Sequence, residues 1–182
     1  MNEQDCRPAP RRRWLTYAIA AAVALGLGVY AFSLLPEPAP GSRDSGPLLA
    51  VSLPDMEGNP QSLSQWRGRL LVVNFWATWC APCKEEMPMF VQAQAAYGDK
   101  GLQFVGIAVD DAVKVRQFAR EIGLNYPALI GGYGAMELSK TLGNSVMALP
   151  FTIVIDRSGK VVLTQLGPVR PAQIDRLVAD FL

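Results

Sequence analysis

Leu70-Leu71-Val72-Val73-Asn74-Phe75-Trp76-Ala77-Thr78-Trp79-Cys80-Ala81-Pro82-Cys83 is the stretch that decides how this chain is read. Its first seven residues form a near-continuous apolar run, as expected of a central strand covered on both faces. Two cysteines separated by two residues follow, at the head of a helix-like segment. On the first turn of a helix such a pair can close a disulfide with little backbone movement. The first cysteine also sits among N–H groups that lack a partner within the helix and favour a thiolate. The thiolate is the nucleophile of thiol–disulfide exchange, so strand, Trp79, CxxC and helix together read as a redox dithiol. A structural zinc site needs about four ligands, and the sequence offers no histidine and only Cys6 as a further cysteine. No metal site is therefore expected. A purely structural bridge is disfavoured too, because a loop this short removes little entropy from the unfolded chain.

Working outward from the dithiol, residues 102–109 form a second apolar run, and the segment between the two runs reads as a helix. Pro88 lies eight residues after Cys80, where it removes an N–H and is expected to kink this helix without ending it. Val115, Phe118, Ala119 and Ile122 recur at i, i+3, i+4, i+7 before Gly123, the pattern of an amphipathic helix with its stop signal. Asp110 and Asp111 precede that helix and are read as its cap, not as metal ligands. Met136 and Met147 are read as core or loop residues. Phe151–Ile155 and residues 160–166 flank Asp156-Arg157-Ser158-Gly159, a turn-forming quartet, and predict a hairpin. Ile174, Leu177, Val178 and Phe181 repeat the helical spacing near the end of the chain. The expected fold class is α/β, a central sheet of mixed strand directions flanked by helices.

The first 47 residues carry a different message. Residues 14–35 are 22 positions without a charge, a helix of about 33 Å against a hydrocarbon core of roughly 30 Å. Arg7, Arg11, Arg12 and Arg13 precede this span, which predicts that segment 1–13 stays in the cytoplasm and that everything after residue 35 is extracytoplasmic. A cleaved signal peptide would begin with the same charges, but its apolar stretch is usually about 7–15 residues and ends in small ones, so a retained anchor is expected in place of cleavage near Ala31. Cys6 then lies across the membrane from the dithiol. Residues 36–47 hold four prolines among glycine, serine and charges, a composition that suits a semi-extended tether. Residues 48–182 remain as one folded domain. That domain has twelve Lys/Arg and twelve Asp/Glu, so it lacks the basic footprint of a nucleic-acid binder.

With these residues in view, the domain resembles the thioredoxin fold, and more closely the TlpA/ResA-like branch of membrane-anchored, extracytoplasmic thiol-disulfide oxidoreductases. The resemblance spans 48–182. It is carried by Asn74-Phe75-Trp76-Ala77-Thr78-Trp79-Cys80-Ala81-Pro82-Cys83-Lys84-Glu85-Glu86-Met87-Pro88, which looks like the family's active-site signature. Leu149-Pro150, opening the strand Phe151–Ile155, resembles the cis-proline loop that faces the dithiol in this fold. The long segment between Leu102 and Gly143 resembles the extra strand and helix that the branch inserts before that proline.

The resemblance implies that Cys80 is the exposed attacking cysteine and Cys83 the buried resolving one. It also implies that Pro150 is cis and that Leu149 and Pro150, with Trp79, meet the substrate. Where thioredoxin has a buried aspartate, this chain has Asn74, which cannot accept a proton. Glu86, three residues after Cys83 on the same helix face, matches a glutamate of the branch; burial should raise its pKa and make it the proton acceptor for Cys83. Glu85 is read as solvated surface, and Trp76 as core packing.

The expected activity is reduction of disulfides in exported proteins. The residues between the cysteines, Ala81 and Pro82, supply no cation to stabilise the thiolate, which places the dithiol toward the reducing end of a range from about −270 mV for thioredoxin to about −120 mV for DsbA. No cofactor is expected. An oxidising compartment demands an electron supply, and the resemblance suggests a membrane donor that relays from cytoplasmic thioredoxin. The expected location is the bacterial inner membrane, single-pass, with the domain facing the periplasm or cell exterior, as a monomer. Cytochrome c maturation is the best-known task of such proteins, although Gly143-Asn144-Ser145-Val146-Met147-Ala148 does not match the loop of the dedicated branch. The alternatives are a peroxiredoxin-like thiol peroxidase, which a CxxC resembles less well, and a copper-binding assembly module of the same fold, whose ligands normally include a histidine.

Overall fold

The computed structural model describes residues 45–182 and, of the chain before them, Tyr17 alone. The anchor assigned to 14–35, Cys6 and most of the tether assigned to 36–47 lie outside the described residues, Tyr17 excepted. Gly46 and Pro47, placed by sequence at the end of the tether, instead open a short helix, α1 (Gly46–Leu49), whose Leu48 and Leu49 are buried. The Ser45 hydroxyl donates to the Gly159 carbonyl. Gly46 and Pro47 thus belong to the folded domain, because two buried leucines draw the preceding turn onto it.

A small antiparallel hairpin follows, β1 (Ser52–Pro54) with β2 (Pro60–Ser62). The main sheet comprises β3 (Leu70–Trp76), β4 (Leu102–Ala108), β5 (Ala128–Ile130), β6 (Phe151–Ile155) and β7 (Val161–Leu166), in the spatial order β5-β4-β3-β6-β7. β3, β4 and β5 are parallel, whereas β6 runs antiparallel to β3 and β7 to β6. β3, β4 and β6 are buried at every position, which is why their sequences read as unbroken apolar runs and not as alternation. The β6–β7 turn forms as predicted: Asp156 Oδ1 accepts from the N–H groups of Ser158 and Lys160, both at 2.9 Å.

Helix α2 (Ala81–Tyr97) starts at the dithiol and passes through Pro88 without ending. α3 (Ala112–Glu121) is capped by Asp111, whose Oδ1 accepts from Val113 N and Lys114 N, each at 3.1 Å. α4 (Gly134–Thr141) and α5 (Pro171–Phe181) complete the fold. The core gathers between α2 and the sheet, where Phe90 stacks on Phe104 with ring centroids 4.9 Å apart. Phe118 of α3 lies 5.6 Å from Trp76. Burying each such aromatic contributes about 1.5–3 kcal/mol. Trp76 is fully buried. This is the mixed α/β sheet with flanking helices that the sequence predicted.

The strand register sets up the site. Phe75 of β3 pairs with Phe151 of β6, so Pro150 stands level with Trp76, at the end of β3 from which the chain runs into the dithiol. The opposite end of the sheet receives Ser45 and the β6–β7 turn.

Candidate functional site

Cys80 is the N-cap of α2, with Ala81 and Pro82 in the first helical positions and Cys83 one residue further. Proline is favoured there because its missing N–H would have had no helical partner. Cys80 and Cys83 form a disulfide with Cα atoms 5.3 Å apart. Cys80 Sγ also accepts from Cys83 N–H at 3.3 Å, an interaction that would stabilise negative charge on that sulfur once the bridge is reduced. Cys80 retains 6 % of its surface and Cys83 none. The cysteine expected to be exposed is therefore exposed only relative to its partner in this oxidised state. Its neighbour Trp79 stands out at 65 % exposure. Beside Trp79 an open groove is bordered by Val109, Asp110, Ile130 and Tyr133.

The Leu149-Pro150 peptide is cis. Pro150 is buried and its carbonyl accepts from Gly167 N at 2.9 Å, while Leu149 is half-buried. The loop before it is held by Asn144, a buried residue that sequence reasoning passed over as one member of a non-matching hexapeptide. Its Nδ2 donates to Ser139 Oγ (3.1 Å) and the Ala148 carbonyl (2.8 Å), and its Oδ1 accepts from Ala148 N (3.0 Å). Met147 follows with φ of +52°. The available signal was Gly143-Asn144, a pair suited to tight turns.

Glu86 lies one turn along α2 from Cys83 and is buried. Its Oε1 accepts from Asn74 Nδ2 (2.9 Å) and its Oε2 from the backbone N–H of Val169 (2.7 Å). Asn74 Nδ2 also donates to Thr152 Oγ1 (3.0 Å). Burial pushes the Glu86 carboxyl from 4.5 up to about 7, against the hydrogen bonds from Val169 and Asn74, which favour the ionised form. Asn74 is thus not a bystander replacing a carboxylate but the residue that holds Glu86. Thr152 could have been suspected as the single hydroxyl within the apolar run Phe151–Ile155. Val169 acts through its backbone, and no side-chain signal could have found it.

The structure therefore brings Cys80, Cys83, Trp79, Glu86, Leu149 and Pro150 to one end of the sheet. Asp110 and Asp111 are occupied structurally: Thr78 Oγ1 donates to Asp110, and Asp111 caps α3. A helix-capping CxxC on a thioredoxin-like sheet, with a cis-proline strand beside it, defines a thiol-disulfide oxidoreductase.

Comparison with known proteins agrees. Residues 41–179 match the family described as Redoxin. The thiol-disulfide oxidoreductase ResA of Bacillus thuringiensis subsp. konkukian (strain 97-27) is 33 % identical over 122 residues, covering 66 % of this chain and 68 % of that protein. ResA of Halalkalibacterium halodurans is 25 % identical over 174 residues, 94 % of each chain. Among solved structures, a thiol:disulfide interchange protein of the thioredoxin family from Chlorobium tepidum TLS has a TM-score of 0.64 and 33 % identity, covering 71 % of this chain and 90 % of that one. The chain belongs to the Redoxin family, within its ResA/TlpA-like group of thiol-disulfide oxidoreductases.

Proposed function

We propose that this protein is a membrane-anchored, extracytoplasmic disulfide reductase whose dithiol acts on exported proteins. The observation that carries the direction of attack is the asymmetry of the two sulfurs: Cys80 caps the helix, accepts an N–H and keeps some surface, whereas Cys83 is enclosed. In the reduced protein the Cys80 thiolate attacks a client disulfide, forming a Cys80–client mixed disulfide and expelling the client's other sulfur as a thiolate, which takes a proton from solvent. Cys83 gives its proton to Glu86 and attacks Cys80 Sγ. The mixed disulfide breaks, the second client thiolate leaves, and the Cys80–Cys83 bridge forms. Two electrons pass from the dithiol to the client. A membrane donor supplied from cytoplasmic thioredoxin returns them. Trp79, Leu149 and Pro150 hold the client chain over Cys80, and the groove beside Trp79 extends that surface.

The 22-residue uncharged span behind a run of arginines supports the anchor and the orientation; in this reading the protein sits in the bacterial inner membrane with its domain outside the cytoplasm, and acts as a monomer. Cytochrome c maturation, which requires reduced haem-binding cysteines, is a task of the right chemistry for such a domain. Trapping tests the assignment of the sulfurs. Cys83→Ser should accumulate mixed disulfides through Cys80, and Cys80→Ser should accumulate none; equal trapping by both variants would overturn it. Direction of electron flow is tested by titrating the dithiol against glutathione or dithiothreitol buffers. A potential near that of DsbA, about −120 mV, makes the protein an oxidant. Thiol-dependent peroxide consumption at peroxiredoxin-like rates would replace the reductase reading altogether.

A further inference from the structure

Beneath the dithiol, on the face of the sheet covered by α2, three buried side-chain atoms of the described residues have no hydrogen-bond partner: Asn74 Oδ1, Trp76 Nε1 and Tyr126 OH. Strand pairing and packing bring their residues together around Gly106. Asn74 pairs with Gly106 across β3 and β4. A Cβ added to Gly106 would stand 2.7 Å from Trp76 Nε1 and 3.7 Å from the Tyr126 ring, so both rings close over the glycine opposite Asn74. Tyr126 comes from the segment between α3 and β5, and its ring packs against Phe104 at 5.7 Å. The three atoms are also chemically complementary, since an indole N–H only donates, an amide oxygen only accepts, and a phenol does both. Buried polar groups of this kind are normally satisfied, and an internal water typically makes about three hydrogen bonds.

We infer that these atoms bracket an internal water site and that, through it, Tyr126 is a positioning residue that holds the Asn74 amide in the orientation that donates to Glu86. The amide has two ways to face the carboxyl. With Nδ2 toward Glu86 Oε1, at 2.9 Å in the structure, it favours the carboxylate; turned over, it would present its oxygen and favour the protonated acid. Thr152 does not choose between them, because its hydroxyl can accept or donate. The water chooses. Once it accepts from both the Trp76 N–H and the Tyr126 O–H its lone pairs are used, so it can only donate, which suits Asn74 Oδ1 and rejects Nδ2. Without the phenol hydroxyl one lone pair is free and the preference is lost.

The groups that act on Glu86 are Asn74 from β3, the Val169 N–H from the loop before α5 and Tyr126 from the segment before β5, with Cys83 three residues before it on its own helix. Burial raises the Tyr126 hydroxyl's pKa, and the Glu86 charge raises it further, so the phenol stays protonated and able to donate throughout the working range.

The test is Tyr126→Phe in the full-length chain in detergent, with glutamate labelled at the carboxyl carbon and the Glu86 signal followed from about pH 4 to 9. The Glu86 midpoint should rise by about half a pH unit or more, and the alkaline-going limb of the disulfide-reduction profile should move with it. An unmoved midpoint in a folded variant overturns the inference. Should the phenylalanine variant not fold, Trp76→Phe removes the other donor and is read in the same way. In a Glu86→Gln background the tyrosine substitution should leave the pH profile unchanged, whereas a purely structural role would alter rates equally in both backgrounds. The effect on rate rests on Glu86 as proton acceptor, but the carboxyl titration does not, so a chain that reduced no disulfide would still decide the positioning.

Discussion

Glu86 shows how one residue couples stability to chemistry. Its carboxyl titrates near 7 in the folded chain, against 4.5 without burial. A raised acid stabilises the fold in full while it is protonated in both states, and progressively less above the unfolded-state value. The contribution is therefore complete below about 4.5 and is lost as pH rises through about 7. Linkage sets the loss at roughly 3 kcal/mol at most. Glu86→Gln keeps the shape and removes the titration, so urea denaturation should show stability falling across this window in the native chain and flat in the variant. As the proposed proton acceptor, the same group should also govern rate. Disulfide reduction should rise through about pH 7 as Glu86 ionises, and glutamine should abolish this limb with a loss of roughly 10²-fold or less, the low end of general-base effects. Superimposable profiles would remove Glu86 from the reaction.

At the scale of elements, α3 and β5, which follow β4 in the chain, do more than lengthen it. α3 places Phe118 against Trp76, and the loop after it delivers Tyr126 to the buried patch. Asp111 holds the start of this helix through two backbone N–H groups. Asp111→Ala should lower stability by about 1 kcal/mol, read as a shift in urea midpoint at constant slope. The exposed pair of Asp111 with Lys114, at 2.9 Å, adds little to that figure, because solvent screens it. A loss below a few tenths of a kcal/mol would mean that packing of Val115 and Ala119, not the cap, secures the helix. Asp111 and the β6–β7 turn were both legible from sequence, because each is a contact between residues at most four apart.

For the whole molecule, the described domain has two distinct ends. Ser45, where the chain enters, meets the β6–β7 turn. The dithiol follows the other end of β3, about 20 Å away along a seven-residue strand. The cysteines therefore lie at the pole of the domain remote from Ser45. Fractionation should leave the protein with the membrane, and protease should reach residues beyond 35 only from the extracytoplasmic side. A soluble mature form lacking the N-terminus would reject the anchor and leave the redox chemistry untouched.

The sequence alone determined the dithiol, the succession of β3, α2, β4, α3, β6, β7 and α5, the hairpin turn, the helix cap and the resemblance to a thiol-disulfide oxidoreductase. Each of these is written in neighbouring residues or in a periodicity, and needs no knowledge of what lies across the sheet. The sequence located neither the β1–β2 hairpin nor α1, β5 and α4. Glu86 was legible as a candidate through its spacing from Cys83 and the family match. Its holding partners were not, because Asn74, Thr152 and Val169 lie 12, 66 and 83 positions away in the chain, and one of them acts by its backbone. Trp76, Gly106 and Tyr126 likewise carry no local sign that they share a patch. Tertiary structure decided which cysteine keeps its surface, which partners hold the glutamate, and how far burial lifts its pKa. Burial and hydrogen bonding across distant strands are sums over neighbours that only the folded sheet brings together.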